Sequence, residues 1–247
     1  MSYVMKTNLA NKANYGGKRS TSDIKYIVIH YTANDGDHDE SNAKYFKNNV
    51  VKASAHYFVD DDSVTQSVPD DYIAYSVGGS KYKDCDKTGG GKLYGVVKNS
   101  NSLSIEMCDT KKNGTIKATE ATMANTAELC KKLMKKYGIK ADHVIRHFDV
   151  NGKHCPAYFM NNNAWSKFKD RLVETKPEKK KGFMVKVEIP DLNIRKGPGT
   201  NYAKIGKFTG KGTFKIVKTS AGSGSKTGWG RLSSGLGWIS LDYAKKI

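Results

Sequence analysis

The sequence predicts an α/β domain with a mixed sheet flanked by helices, followed by a small all-β domain. Up to about residue 175, apolar runs of strand length alternate with amphipathic helical stretches. The remainder contains only short runs separated by glycine, proline and asparagine. Between the two lies KPEKKK (176–181), in which a proline and four lysines predict a linker. We therefore expect domains at 1–175 and 185–247, joined by a linker at 176–184.

The first domain mixes strand and helix periodicities. Residues 24–32 (IKYIVIHYT) are β-branched and apolar, as in a buried strand, and residues 102–107 (SLSIEM) predict a second strand. Residues 54–69 indicate a hairpin that turns after residue 60. Spacing of apolar residues predicts helices at 38–51, 119–137 and 164–174.

The second domain shows no helical pattern. Its runs, such as MVKVEI, TFKIVKT and GWISLD, are broken at close spacing by turn residues, which is typical of a small barrel or sandwich. At about 63 residues, the domain is near the lower limit for independent folding.

The positive charge is concentrated at the C-terminal end. The chain has 42 Lys and Arg against 24 Asp and Glu, a net charge of +18. Residues 1–175 carry 26 basic and 20 acidic groups, a net charge of +6, and the linker carries a net +3. Residues 185–247 carry 12 basic and 3 acidic groups, a net +9. A small domain with this excess is attracted to polyanions, and salt screens the attraction.

Several protein classes are excluded by the composition. No apolar run approaches the roughly 20 residues of a membrane span. Residues 1–17 are polar and lack the apolar core of a secretory signal, so we expect synthesis in the cytoplasm and release by another route. The four cysteines form no CxxC pair and do not indicate a disulfide framework. Three of them are expected to be small buried hydrophobes, namely Cys85, Cys108 and Cys130.

Three residues form a candidate metal site. His30 ends the first predicted strand, where a sheet presents side chains to a cleft. His147 lies eight residues before Cys155, and the Asn151–Gly152 turn between them can bring the two side chains together. Two imidazoles and one thiolate are three zinc ligands that leave a fourth position open for water. Taken singly, each of these residues is more often a structural histidine or an inert cysteine.

Four segments of the first domain resemble the zinc-dependent N-acetylmuramoyl-L-alanine amidases of type 2, especially phage endolysins and autolysins of Gram-positive hosts. They are YIVIHYTA (26–33), SAHYFVD (54–60), NSLSIEMC (101–108) and RHFDVNGKHCP (146–156), in the family's order and spacing. The resemblance covers nearly all of residues 20–172. It implies a peptidoglycan hydrolase that cleaves the amide bond between N-acetylmuramic acid and L-alanine of the stem peptide, and so lyses the cell wall.

The resemblance also implies roles for single residues. It implies that His30, His147 and Cys155 bind Zn²⁺, and that a zinc-bound water is the nucleophile. The catalytic acidic residue falls on Glu106, which can carry a proton from the water to the leaving amine. Lys153 matches a lysine two residues before the cysteine ligand and can stabilise the developing oxyanion.

Three further features bear on the substrate cleft. Tyr57 matches an aromatic position that lines the cleft in relatives, which makes it a candidate substrate-binding residue. Many relatives have a histidine in an A-W-H-x-G segment, but this chain reads IAYSVGG (73–79), so that contact is not carried over and Ser76 or a neighbour takes its place. Residues 81–98, rich in glycine and lysine, predict a long surface loop beside the cleft. That loop either shapes specificity or is mobile without a role.

The other histidines are not predicted as ligands. His38 starts a helix in an acidic loop and is expected to be solvated, and His143 is expected to be structural. His154 should point away from the side on which its neighbour Cys155 lies. For His56, a supporting position behind the site and a core position both stay open.

The second domain resembles the bacterial SH3-like domains that bind cell walls. The resemblance rests on LNIRKGPGTNY (192–202) and on GWGRL…GWISLDY (228–243). It implies a barrel that holds the enzyme on peptidoglycan, with anionic wall polymers as further candidate partners. Four aromatic residues are candidates for stacking on sugars or peptides, unless the tryptophans fill the core: Tyr202, Trp229, Trp238 and Tyr243.

Two other functions compete with the hydrolase. A non-catalytic peptidoglycan receptor uses the same fold without the ligands, but all three ligand positions are filled here. A nucleic-acid binder fits the isoelectric point of about 9.6, but no nucleic-acid-binding motif accompanies the charge, so no nucleic-acid partner is expected. The absence of a signal peptide favours a phage endolysin released through a membrane pore. The sequence does not indicate an oligomeric state.

Overall fold

A computed structural model describes residues 3–173 and 182–247. The chain forms two compact units, Met1–Val173 and Glu174–Ile247. Most of the predicted linker, residues 176–181, lies outside the described residues. The first strand of the second unit begins at Phe183, so the end of the predicted linker belongs to a sheet. Among the described residues, none of the helices has the length and hydropathy needed to cross a membrane.

The first unit contains a six-stranded mixed sheet and a separate two-stranded ribbon. The sheet is formed by β1 (Val4–Thr7), β3 (Tyr26–Tyr31), β4 (Tyr57–Val59), β5 (Ser63–Gln66), β7 (Ser102–Met107) and β8 (Val144–Arg146). Their order is β1-β5-β4-β7-β3-β8, in which only the β4–β5 hairpin is antiparallel. The ribbon pairs β2 (Tyr15–Lys18) with β6 (Tyr72–Ala74). The predicted α/β domain with a mixed sheet is thereby confirmed.

Within residues 3–173, five α-helices accompany these strands: α1 (Asp39–Asn48), α2 (Cys85–Thr88), α3 (Glu120–Tyr137), α4 (His147–Asn151) and α5 (Asn162–Asp170). The longest, α3, begins where the Thr119 side chain accepts from the backbone N–H of Thr122, and it ends at Gly138 in the left-handed region. The helices predicted at 38–51, 119–137 and 164–174 correspond to α1, α3 and α5.

The alternation of side chains along the central strands separates a core face from a site face. Ile27 and Ile29 of β3, with Leu103 and Ile105 of β7, pack in one apolar cluster with residues of α3 and α5. The intervening residues face the other side of the sheet, because successive side chains of a strand point in opposite directions. Burial of each Ile or Leu side chain contributes roughly 1.5–3 kcal/mol to the stability of the fold. A shift of one residue would move these side chains to the other face, so the register of the strands is strongly fixed. That register decides which polar residues reach the site.

The second unit is all-β, as predicted. Its sheet is formed by β9 (Phe183–Val187), β10 (Asn193–Arg195), β11 (Lys204–Phe208), β12 (Gly212–Ser220), β13 (Trp229–Leu232), β14 (Trp238–Ser240) and β15 (Ala244–Lys246). The strand order is β11-β10-β14-β13-β12-β9-β15, and all neighbours are antiparallel. Its core contains Val185, Val187, Ile194, Ile216 and Ile239. The SH3-like assignment stays a prediction.

The four aromatic residues named for stacking divide into two pairs. Trp229 and Trp238 are buried, whereas Tyr202 and Tyr243 are 43% and 57% exposed. The indole N–H of Trp229 donates to the carbonyl of Ser223 at 3.2 Å, which satisfies it within the unit. Only the two tyrosines are therefore available on the surface.

Candidate active site

The centre of the site is formed by three neighbouring strands. In the register of β3 and β7, His30 lies directly opposite Glu106, and in the register of β4 and β7, Phe58 also lies opposite Glu106. The Nδ1 atom of His30 is 3.9 Å from Oε1 of Glu106. His30 is 2% exposed, so the imidazole lies inside the protein.

A short helix brings the second histidine to the same place. The segment that begins at His147 is one turn of helix, α4, that follows directly on β8. Asp149 fixes its start, because its carboxylate accepts the backbone N–H of Arg146 at 2.8 Å and the guanidinium Nη2 at 2.7 Å. The same guanidinium donates to the carbonyl of Phe159 at 2.8 Å, which ties α4 to the chain that follows the site.

The turn after α4 returns the chain to the site. Gly152 ends the helix with φ 92, a conformation that glycine adopts without strain. The backbone N–H of Phe148 then donates to the carbonyl of Cys155 at 3.1 Å. This closed turn places Cys155 beside the helix that carries His147, as the Asn151–Gly152 turn in the sequence predicts.

The three predicted ligands converge. A ligand atom of each of His30, His147 and Cys155 lies within 4.8 Å of the others, and all three residues are buried. The Sγ of Cys155 is 3.8 Å from Nδ1 of His30. The two imidazole rings are 4.6 Å apart between centroids, with an angle of 60° between planes. His30 lies near the end of β3, whereas His147 and Cys155, which are eight residues apart, lie in α4 and just after the turn that follows it.

Burial keeps both imidazoles neutral. It lowers the pKa of His30 well below its ordinary value, and the nearby His147 and Lys153 lower it further. Burial, with the charge of Lys153, lowers the pKa of His147 to about 4. Neutral rings keep a lone pair on nitrogen, which is the form that binds metals.

Several polar atoms of the site have no hydrogen-bond partner among the described residues. They are Nε2 of His30, both ring nitrogens of His147 and Oε2 of Glu106. Leaving a buried polar atom without a hydrogen bond costs about 1–3 kcal/mol of folding free energy. Several such atoms in one place therefore indicate that the site binds a group that is not part of the polypeptide. Two imidazoles and a thiol suit Zn²⁺, and the residues present therefore fit a zinc ion.

Burial raises the pKa values of both the Cys155 thiol and the Glu106 carboxyl group. Burial, with the charge of Glu106, raises the pKa of Cys155 to about 12. Burial also raises the pKa of Glu106 to about 8, which Lys153 opposes and Asp37 reinforces. A bound cation favours the thiolate, because a coordinating thiol is deprotonated.

Lys153 lines two grooves that open at the site. One, of about 580 Å³, is also lined by Tyr31, Phe58, Glu106 and Cys155. The other, of about 670 Å³, is lined by His147 and Asn151. Asn151 is buried, and its side-chain oxygen accepts the backbone N–H of Lys153 at 3.1 Å. Sequence reasoning used Asn151 only as a turn residue and missed this positioning of Lys153.

The expectation that Tyr57 lines the cleft is corrected by the structure. Tyr57 is 4% exposed and packs on the core face of the sheet with Ile105. Its hydroxyl donates to Asp70 at 2.6 Å. The aromatic side chain that β4 contributes to the cleft is that of the next residue, Phe58. Which of the two residues faces the cleft is set by the register of β4 against β7, in which Phe58 lies opposite Glu106.

The four remaining histidines are not part of the triad formed by His30, His147 and Cys155. His56 is a buried core residue, with Nδ1 accepting the backbone N–H of Ser104 at 3.0 Å. His38 is 60% exposed at the start of α1, and His143 stacks on Tyr26 at 4.6 Å. The side chain of His154 is also 60% exposed, in agreement with its exclusion as a ligand. The cysteines Cys85, Cys108 and Cys130 are buried and free, as predicted.

The loop at 81–98 packs on α4. The backbone N–H of Tyr82 donates to the carbonyl of Asn151 at 2.8 Å, and that of Gly91 donates to the carbonyl of Phe148 at 2.9 Å. Cys85 is buried, with Sγ 3.4 Å from the carbonyl oxygen of Asn151. These contacts fix the loop against α4, and Lys81, Tyr82 and Lys83 line one of the two grooves, whereas a role of the loop in specificity stays a prediction.

Comparison with known proteins places this site in context. The family model described as N-acetylmuramoyl-L-alanine amidase matches residues 20–158. A probable N-acetylmuramoyl-L-alanine amidase of Bacillus licheniformis is 35% identical over 156 residues, which are 60% of this chain and 41% of that protein. The amidase CwlA of Bacillus subtilis strain 168 is 30% identical over 211 residues, 85% of this chain and 71% of that protein. The chain thus spans about two fifths of the first of these relatives.

Solved structures agree with the sequence relatives. A mutant endolysin from Bacillus subtilis has a TM-score of 0.55 and 26% identity, over 70% of this chain and 100% of that chain. The catalytic domain of XlyA has a TM-score of 0.54 and 25% identity, over 69% of this chain and 99% of that chain. The matched segment contains the whole triad together with Glu106 and Lys153, and the chain belongs to the N-acetylmuramoyl-L-alanine amidase family.

Proposed function

We propose that this protein hydrolyses the amide bond between the lactyl group of N-acetylmuramic acid and L-alanine of the peptidoglycan stem peptide. The observation that carries the proposal is the buried convergence of His30, His147 and Cys155, in which three ring nitrogens have no hydrogen-bond partner among the described residues. Family membership supports the choice of bond, because the relatives carry the name of this amidase. A filled triad also argues against the non-catalytic receptor.

The metal assigned to this site is Zn²⁺, held by two imidazoles and one thiolate. When bound, it would lower the pKa of a water to about 7 and polarise the scissile carbonyl. The burial of His30 and Cys155 excludes solvent around the ligands, which strengthens the electrostatic interactions inside the site.

Glu106 is proposed as the proton carrier. Its carboxyl group lies beside His30, and Oε2 has no partner among the described residues. As water attacks the carbonyl carbon, Oε2 accepts the proton that the water loses. The same oxygen then delivers this proton to the leaving nitrogen, so that the C–N bond breaks and a neutral amine departs.

Lys153 is proposed to stabilise the transition state. Lys153 is exposed and lines both grooves, and its charge acts on the buried Glu106, His147 and His30. A cation at this position can donate a hydrogen bond to the oxyanion that forms as the carbonyl is attacked. It also favours the ionised form of Glu106, which is the form that accepts a proton.

The second unit is proposed to be an SH3-like wall anchor that binds an anionic wall polymer. Cross-strand pairing places like charges directly opposite each other at Arg195–Lys204 and Lys218–Arg231, on either side of Trp238. A third such pair joins Lys186 to Lys245. Directly opposed like charges destabilise a sheet, and an anionic polymer would relieve this repulsion.

The test of the reaction is mass spectrometry of digestion products. The full chain, loaded with zinc, is incubated with purified peptidoglycan, and the soluble fragments are sequenced. We expect free peptides with an N-terminal alanine and glycan strands without peptides. Fragments cut within the peptide or between sugars would show that the proposed bond is wrong.

A sedimentation assay tests the anchor. We expect the full chain to bind intact cell walls and to bind walls stripped of anionic polymers more weakly. The variant Lys218→Glu/Arg231→Glu should reduce binding to intact walls only. Equal binding to both wall preparations would contradict the anchor, and preferential binding to DNA would favour a nucleic-acid partner.

A further inference from the structure

The groove that leads away from His147 is lined by a group of lysines. Lys52, Lys81 and Lys83 line it together with Lys153, and the described residues that line it include no aspartate or glutamate. All four lysines are exposed, and within residues 3–173 none of them forms an ion pair with a carboxylate. A concave surface with one sign of charge concentrates ligands of the opposite sign.

One wall of this groove is held in an unusual backbone conformation. Lys52 has φ 56, in the left-handed region that a residue with a side chain rarely adopts. The fully buried Asn14 holds it there, because its side-chain oxygen accepts the backbone N–H groups of Val51 and Lys52 at 2.8 and 3.0 Å. The side-chain N–H groups of Asn14 also donate to the carbonyls of Phe46 and Asn49, so this side chain joins the turn to the end of α1.

The opposite wall is also fixed. Lys81 and Lys83 flank Tyr82, whose backbone N–H donates to the carbonyl of Asn151 at 2.8 Å. Cys85, two residues after Lys83, is buried against the same carbonyl of Asn151. The lysines therefore project from a segment that is anchored to the helix carrying His147.

The second groove has a different chemistry. It is lined by aromatic and amide side chains such as Tyr31, Tyr45, Phe58 and Asn42, and Lys153 is its single lysine among the described residues. Asp37 and Glu106 add negative charge on this side. Aromatic faces with amide groups suit a neutral sugar better than a carboxylate.

We propose that the lysine groove binds the carboxylates of the stem peptide, and that the substrate therefore crosses the site with its sugar in the aromatic groove. This inference rests on the proposed function, because that function fixes the scissile bond. The lactyl carboxyl group is consumed in the amide, so the N-acetylated sugar side is uncharged. The peptide side carries every free carboxylate. Lys52, Lys81 and Lys83 are thus specificity-determining residues for an acidic peptide.

Binding of a product-like peptide tests this inference without requiring turnover. Calorimetry on the full chain compares L-alanyl-γ-D-glutamyl-L-alanine, which has two carboxylates, with its bis-carboxamide. We expect the acid to bind about tenfold more tightly, and added salt to remove the preference. The variant Lys52→Gln/Lys81→Gln/Lys83→Gln, which retains only Lys153 of the four lysines, should lose most of this preference. The control Lys87→Gln/Lys92→Gln changes two exposed lysines of the same loop that lie outside the groove, and it should keep the preference.

Each outcome distinguishes this inference from the proposed function. Equal binding of acid and amide by the wild type, no binding of either, or a preference that survives undiminished in the triple variant would overturn the inference even if peptidoglycan is cleaved. If the protein prefers the acid through these lysines but cleaves no peptidoglycan, the proposed role of the groove would be supported and the proposed reaction would be wrong. With a soluble muramoyl peptide, the triple variant should raise KM about tenfold and leave kcat unchanged.

Discussion

His30 and Glu106 lie directly opposite each other on the adjacent parallel strands β3 and β7, with Nδ1 of the histidine 3.9 Å from Oε1 of the glutamate. This pairing places a proposed metal ligand and a proposed proton carrier on one rigid face of the sheet. Since neither side chain depends on a loop for its position, the two roles can be tested separately.

The substitution Glu106→Gln should remove proton transfer and retain the metal. We expect kcat to fall by at least about 100-fold, the usual contribution of a positioned acid–base group. The measurement is turnover of a soluble muramoyl peptide, with zinc content determined on the same samples. A variant that loses zinc together with activity would show that Glu106 is a ligand or a structural support.

Gly152→Ala should damage the site by steric conflict. An added Cβ would lie 2.3 Å from Sγ of Cys85, and φ is 92. We expect a loss of about 1–3 kcal/mol in the free energy of unfolding and weaker zinc retention, because the turn that carries Cys155 must shift. Urea unfolding and zinc analysis measure the two effects.

Gly138→Ala is the matched control for this substitution. Gly138 also has a positive φ, 66, but its added Cβ would meet no atom within 4 Å. It should cost about 1 kcal/mol and leave zinc retention unchanged. Equal loss of zinc in both variants would contradict a specific role for the turn at Gly152.

His56 should make the protein sensitive to acid. Burial, with the charge of Arg19, lowers its pKa from 6.5 to about 3. Below pH 6.5 the unfolded chain binds a proton at this ring while the folded protein does not. Stability is therefore full above pH 6.5 and falls by about 1.4 kcal/mol per pH unit as the pH decreases towards 3.

The variant His56→Gln tests this linkage. Between pH 6.5 and 4, the free energy of unfolding of the wild type should fall more steeply than that of the variant, by the contribution of one proton. His30 and His147 titrate in both proteins and cancel in the comparison. Parallel curves would show that His56 is protonated equally in the folded and unfolded states.

Tyr57→Phe should reduce stability and leave catalysis unchanged. The hydroxyl donates to Asp70, which is buried and is also bonded by Tyr137 and Lys136. Loss of one such bond costs about 0.5–1.5 kcal/mol, or more where the acceptor is charged. Thermal unfolding and KM are the readouts. A raised KM with unchanged stability would show that Tyr57 contacts the substrate in the cleft.

Much of the first unit could be predicted because its signals are local. The strand at Tyr26–Tyr31 and the helix at Glu120–Tyr137 follow from apolar periodicity, and four short segments located the triad. The face of Tyr57 was mistaken because a strand of three residues offers too little alternation to separate it from Phe58.

The remaining features depend on contacts between distant residues. The anchoring of Tyr82 and Cys85 on Asn151 joins positions about 70 residues apart, so no local pattern of the loop reveals it. The lysine groove likewise combines Lys52 with Lys81 and Lys83, and only the folded chain shows that they share one surface.

Whether His30, His147 and Cys155 bind a metal is tested most directly by zinc content, measured by elemental analysis after dialysis of the purified full chain. We predict about one zinc ion per chain in the wild type and in Glu106→Gln. His30→Ala, His147→Ala and Cys155→Ser should contain almost none, whereas Cys130→Ser, which changes another buried and free cysteine, should retain the metal. Retention of zinc by the triad variants, or an active wild type without zinc, would contradict the account.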